Sequence, residues 1–173
     1  MREIIISATS DSIKKITSPR YFKSERGYQG ILFCHLFDEL EPHGLLNEDR
    51  ILEQEYQKTQ KHGLGQRPDI IFHIPVEHSG AAINENNYCV WALKADASKE
   101  SALEDFDKLE EMIYHLKYPL GIFININSAD NHLEHYSGKL HDKIIGFSVL
   151  LNEKEAKIKK SWFEDGQIMN LDL

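Results

Sequence analysis

The stretch YCVWALK, residues 88–94, is apolar over its first six positions and ends in a lysine. Apolar residues on both faces of a strand are typical of a central position in a sheet that is covered on each side. The stretch therefore predicts a buried central strand and a fold built around a sheet. Lys94 is the exception within it, because an ammonium at the end of a buried strand needs either a function or a route to solvent.

The sequence on either side of this strand predicts further helices and strands. Ser98 is a candidate N-cap, and Phe106 and Leu109 belong to an apolar series at three- and four-residue steps, which predicts an amphipathic helix. The apolar segment GYQGILFCHLFDEL, residues 27–40, predicts another helix. Short apolar or alternating runs predict strands in RILEQEYQKT, DIIFHIP, YPLGIFININS, KIIGFSVLLN and KIKKSWF.

The order of these elements predicts the fold class. The helix after Ser98 joins two strands that are apolar on both faces, so those strands are expected to be parallel and linked by a right-handed crossover. The other strands follow one another without such a helix. We therefore expect an α/β fold, a mixed sheet flanked by helices. Because no linker or internal repeat is visible, residues 1–173 are expected to form one domain.

Composition limits the classes of function. A net charge of −8 argues against a wide basic surface that binds nucleic acid through its phosphates. No apolar run is long enough for a membrane span, and the N-terminus lacks a signal-peptide pattern. Cys34 and Cys89 lie in apolar surroundings, which predicts two buried free thiols in a reducing compartment. A cytoplasmic protein with no membrane partner is expected.

Two residues in this pattern carry candidate chemistry. Asp69 begins the strand in RPDIIF, and Lys94 ends the strand in VWALK. If the two strands are antiparallel neighbours, the start of one meets the end of the other, and the two side chains share one end of the sheet. A carboxylate can hold Mg²⁺ there, and a lysine can orient the attacking water or stabilise phosphate charge. The alternative is structural: Asp69 caps a turn, and Lys94 extends into solvent.

Four segments follow one another in this order: RPDIIF, VWALKAD, SALEDFDKLEEMI and PLGIFININS. Through these segments, roughly residues 21 to 128 resemble the PD-(D/E)XK nuclease superfamily. The resemblance implies a restriction-endonuclease-like fold, a mixed sheet flanked by helices, and a metal-dependent endonuclease that hydrolyses phosphodiester bonds with Mg²⁺ or Mn²⁺. It assigns the signature aspartate to Asp69 and the lysine to Lys94, and it makes nucleic acid, DNA in the first place, the expected partner. A homodimer is among the assemblies it implies.

One position departs from the family pattern. The second acid, two residues before the lysine, is Ala92 here. Some type II restriction endonucleases look similar in having a small residue at this position and an acid on the next helix, a spacing that leads to Asp107. Glu25, near the start of the first predicted helix, and Glu55, on the strand before Asp69, are the other candidates for the missing carboxylate. The sequence thus predicts Asp69, Lys94, Asp107 and Glu25 as catalytic residues, and Asp69, Asp107 and Glu55 as metal ligands.

Two other interpretations stay open. The acidic residues Glu104, Asp107 and Glu111 share one helix face, and such a stripe is also typical of the solvated side of an amphipathic helix. Ala92 also fits a catalytically lapsed nuclease fold that acts as a protein-binding or regulatory module, for which an acidic surface suits a protein partner better than a bare duplex.

Overall fold

The protein is described by a computed structural model that covers residues 1–54, 68–75, 86–153 and 155–173. In these ranges the chain forms three α-helices: α1 (Arg2–Lys15), α2 (Glu25–Leu40) and α3 (Lys99–Leu116). The strands are β1 (Ile51–Gln54), β2 (Ile70–His73), β3 (Asn87–Ala95), β4 (Gly121–Ile126), β5 (Ile144–Asn152), β6 (Glu155–Glu164) and β7 (Gln167–Asp172). Among these residues no helix is both long enough and apolar enough to cross a membrane.

The described strands form one seven-stranded sheet in the order β1-β2-β3-β4-β5-β6-β7. The central strands β3, β4 and β5 run parallel, and every other neighbouring pair is antiparallel. The predicted parallel crossover through α3 and the predicted antiparallel pairing of β2 with β3 are both confirmed. The sheet is therefore mixed, as expected from the order of the elements.

Helices cover both faces of the sheet. On one face α1 and α2 pack against β3, and the Trp91 indole N–H donates to Thr9 Oγ1 at 3.1 Å inside this layer. On the other face α3 packs against β3 and β4, where the rings of Phe106 and Phe123 meet edge to face with centroids 5.0 Å apart. Alternate residues of β3 thus enter two different apolar layers, which explains why the strand is apolar on both faces.

The N-cap of α3 follows the sequence prediction. The Ser98 hydroxyl accepts the backbone N–H of Ser101 at 3.3 Å, which satisfies one of the free donors at the helix start. The helix ends at Lys117, which adopts a left-handed conformation.

Three features differ from the sequence prediction. The first is α1, where the sequence shows only a short apolar patch. The second is β7, which lies beyond the segment KIKKSWF and forms an antiparallel hairpin with β6. The third concerns the cysteines: Cys89 is buried as predicted, but the prediction for Cys34 was wrong, because this thiol lies on the exposed side of α2.

Candidate active site

A cleft opens where β2 begins and β3 ends, on the face of the sheet that α3 covers. The register pairs Ile70 with Trp91, and continuing it by one residue sets Asp69 opposite Ala92. Opposed residues of antiparallel strands point to the same face, so Asp69 lies on the face of Ala92 and Lys94. The cavity has a volume of about 150 Å³, which is room for several water molecules.

Asp69 is fixed by contacts to two elements. Its Oδ2 accepts the backbone N–H of Leu93 at 2.7 Å, just beyond the start of the β2–β3 ladder. Its backbone carbonyl accepts the side-chain amide of Gln29 at 2.7 Å. Because Gln29 is buried on α2, this bond ties the start of β2 to the helix that follows Ser24. The carboxylate is therefore held in place with one oxygen committed to the backbone of β3.

Burial raises the pKa of Asp69 to about 6. The hydrogen bond from Leu93 opposes this shift, the negative charges of Glu25 and Asp105 add to it, and the Lys94 ammonium lowers it. The carboxylate thus sits in a cleft with more negative than positive charge around it. A bound cation would relieve that repulsion.

Glu25 reaches the same cleft from the first residue of α2. Ser24 caps this helix by accepting the Gly27 N–H at 3.1 Å, and a carboxylate in the first turn also suits the positive end of the helix. Glu25 Oε2 accepts the backbone N–H of Ala95 at 3.2 Å, one residue beyond Lys94. The predicted residues Glu25, Asp69 and Lys94 therefore line one cavity.

The helix α3 adds an acid that the sequence prediction missed. Asp105 is 6% exposed and lines the cavity, and its Oδ1 accepts Lys108 Nζ at 2.6 Å. This hydrogen bond raises the pKa of Lys108. Leu109 and Met112 lie on the same face of the helix and close the cavity on that side. Asp105 on the helix and Ala92 on the sheet therefore line the same cavity.

The structure does not bring Asp107 to Asp69. Asp107 is exposed and lines a separate groove with Glu110, Glu111 and Tyr114. Successive residues of an α-helix are about 100° apart around the helix axis. Asp107 follows Asp105 by two residues, so its side chain points about 200° away from the direction of Asp105. The acidic stripe is thus the solvated face of α3, which was the open alternative. Glu55 lies outside the described residues.

One signal in the sequence pointed to Asp105. It falls three residues after Ala102 and four before Leu109, inside the apolar series of α3. A charged residue at an apolar position of an amphipathic helix is rarely buried without a partner or a function. Reading the interruption of the apolar face, instead of the spacing from the lysine, would have selected this residue.

The donor set limits how a metal could bind. In the described part of the chain, no group of three or more His, Cys, Asp or Glu side chains is close enough to hold a metal ion. Mg²⁺ in enzymes is commonly held by one or two carboxylates, with water and substrate phosphates completing its shell. Asp69 and Asp105 are hard oxygen donors on opposite walls of one small cavity. The cleft fits this mode of binding and not a preformed cage.

Comparison with known proteins identifies the fold. No family model and no curated protein matches the sequence. Among solved structures the chain is similar to P. aeruginosa ATCC27853 NucC in its cAAA-bound form, with a TM-score of 0.51 and 12% identity over 99% of this chain and 83% of that one. At this identity the likeness shows the fold, which is the nuclease-like mixed sheet flanked by helices that the sequence predicted.

Proposed function

We propose that the protein is a metal-dependent nuclease of the PD-(D/E)XK type, in which Asp105 of α3 replaces the second acid. The observation that carries this proposal is the convergence of Asp69, Asp105 and Lys94 on one cleft beside Ala92. The similarity of the fold to that of NucC also supports it.

The charges in the cleft explain why a metal would be needed. Three carboxylates, those of Glu25, Asp69 and Asp105, face two ammonium groups, those of Lys94 and Lys108. A phosphodiester brings a further negative charge into this cavity, so its approach is unfavourable without an added cation. Mg²⁺ or Mn²⁺ supplies that charge and polarises the phosphate.

The residues of the chain then have separate tasks. Asp69 on the sheet and Asp105 on α3 would hold the cation. Lys94 donates hydrogen bonds to the phosphate or to the attacking water and offsets the negative charge that develops during hydrolysis. Glu25, whose Oε2 is committed to the Ala95 N–H, keeps a second oxygen that can accept a proton from a water in the cleft.

A cleavage assay with matched variants tests the proposal. We expect Mg²⁺-dependent cleavage of DNA or RNA by the wild type, and its loss in Asp69→Ala, Lys94→Ala and Asp105→Ala with folding unchanged by circular dichroism. Asp107→Ala is the control, because it removes the same charge two residues away on the exposed side of α3. Full activity in Asp105→Ala together with loss in Asp107→Ala would overturn the assignment of the second acid.

One observation favours the lapsed fold as a second candidate. Asp105 already has an internal cationic partner in Lys108, so the cleft is partly neutralised without a metal. In that case the protein would act through a protein partner, and the groove beside the exposed Tyr114 is a candidate surface. Titration calorimetry separates the two functions: Mn²⁺ binding that disappears in Asp69→Asn supports the nuclease, whereas no heat at millimolar Mn²⁺ supports the lapsed fold.

A further inference from the structure

Lys108 is a charged residue of the cleft to which the proposed mechanism gives no task. Its Nζ lies 2.6 Å from Asp105 Oδ1, on the same helix and three residues further along. Both side chains line the cavity that contains Asp69 and Lys94. An ammonium therefore already contacts an oxygen that a metal ion would use.

The two partners of this ion pair are buried to different degrees. The Asp105 side chain is 9% exposed and the Lys108 side chain is 43% exposed. A buried carboxylate without a partner is strongly unfavourable, so Asp105 depends on the ammonium as long as no other cation is present. The lysine is on a flexible stem near solvent and does not depend on Asp105 in the same way. Lys108 can therefore leave, provided that another cation takes its place.

The neighbouring charges favour such an exchange. The negative charges of Asp105 and Asp69 both act on the Lys108 ammonium, so it balances more than one carboxylate of the cleft. A divalent cation at the same place carries twice the charge of the Lys108 ammonium and would repel this ammonium.

We propose that Lys108 is the resident counter-ion of Asp105 and that a divalent cation must displace it in order to bind. The inference deepens the proposed function and rests on it. Metal binding is then an exchange of one cation for another. The intrinsic affinity of the two carboxylates for the metal is larger than the affinity that the wild-type protein displays.

Calorimetric titration with Mn²⁺, without any nucleic acid, tests this exchange. We expect Lys108→Met to bind Mn²⁺ about tenfold more tightly than the wild type, because the variant lacks both the competing hydrogen bond and one unit of positive charge. Lys108→Gln serves as a second variant should the methionine impair folding. Lys99→Met is the control, since it removes the same charge from the exposed start of α3 and should leave the affinity near that of the wild type.

A double-mutant cycle separates competition from a general effect of charge. In an Asp105→Asn background, Lys108→Met should raise Mn²⁺ affinity much less than it does in the wild-type background, because the oxygen for which the two cations compete is no longer charged. Wild-type binding with unchanged or weaker affinity in both Lys108 variants would overturn this inference and leave the proposed nuclease intact. No binding by the wild type or by either Lys108 variant would overturn both.

Discussion

Replacing Asp69 with asparagine is expected to stabilise the protein at neutral pH while removing metal binding. The folded state holds the Asp69 proton more tightly than the unfolded chain, since burial raises the pKa from its ordinary value of 3.8 to about 6. Ionising this carboxylate therefore costs stability. This loss of stability is absent below the pKa that Asp69 has in the unfolded chain and grows as the pH rises through about 4 to 6. It is complete above the pKa that Asp69 has in the folded protein.

The size of the effect follows from the same two values. A pKa difference of this size corresponds to about 3 kcal/mol. Because the carboxylate is only half-buried, water screens part of this cost, and we expect about 1–2 kcal/mol at pH 8. Asparagine keeps an oxygen that can accept the Leu93 N–H, so the variant removes the charge and preserves the hydrogen bond.

Urea unfolding of Asp69→Asn and the wild type in a chelator, at pH 4.5 and at pH 8, measures this difference. The gain in the free energy of unfolding should be small at pH 4.5 and should reach about 1–2 kcal/mol at pH 8. Comparing the two proteins at each pH cancels the titrating groups that do not interact with Asp69. Asp107→Asn, on the exposed face of α3, is the control and should show little difference at either pH. A variant less stable than the wild type at pH 8, or an equal gain at both values, would refute the reasoning.

Three further predictions follow from the same structure. Mn²⁺ affinity measured by calorimetry should rise between pH 5.5 and pH 7.5, because Asp69 must lose its proton to bind the cation; a flat profile would contradict its role as a ligand. Gln29→Ala leaves the partly buried carbonyl of Asp69 without its donor and should lower the free energy of unfolding by about 1–3 kcal/mol in urea titrations, with no loss counting against the assigned bond. Ser98→Ala removes the cap of α3 and should cost about 1 kcal/mol by the same measurement, whereas Ser98→Asp should retain most of the stability.

Much of the fold could be predicted because its central strands have unambiguous patterns. The segment around Val90 is apolar on both faces, and α3 has a cap and a clear apolar series, so the crossover between β3 and β4 followed from general rules. The antiparallel pairing of β2 with β3 then placed Asp69 and Lys94 at one end of the sheet. These inferences depend on local patterns and on the handedness of connections, which the sequence carries directly.

The elements that were missed depend on tertiary contacts or on weak local signals. In α1, Ile5 and Ile13 are buried but lie among β-branched and hydroxyl residues that favour a helix poorly, so packing against the sheet decides its structure. Strand β7 is mostly exposed and has no strong apolar pattern. Its turn did carry a signal, since Asp165 and Gly166 both adopt positive φ, as Asp-Gly does in tight hairpins.

Asp105, which we propose as the second acid, was missed for a geometric reason. A spacing counted from Lys94 led to Asp107, but on a helix the direction of a side chain changes with every residue, so a small error in spacing selects the wrong face. The packing of α3 on the sheet turns Asp105 inward, in agreement with its place inside the apolar series, and leaves Asp107 exposed.

The most direct test of the proposed metal site is the anomalous difference density of a crystal soaked in Mn²⁺. We predict a manganese peak in the cleft, within bonding distance of carboxylate oxygens of both Asp69 and Asp105, with Lys108 moved away from Asp105. A peak at the exposed groove near Asp107, or an empty cleft at a manganese concentration that supports cleavage in solution, would contradict it.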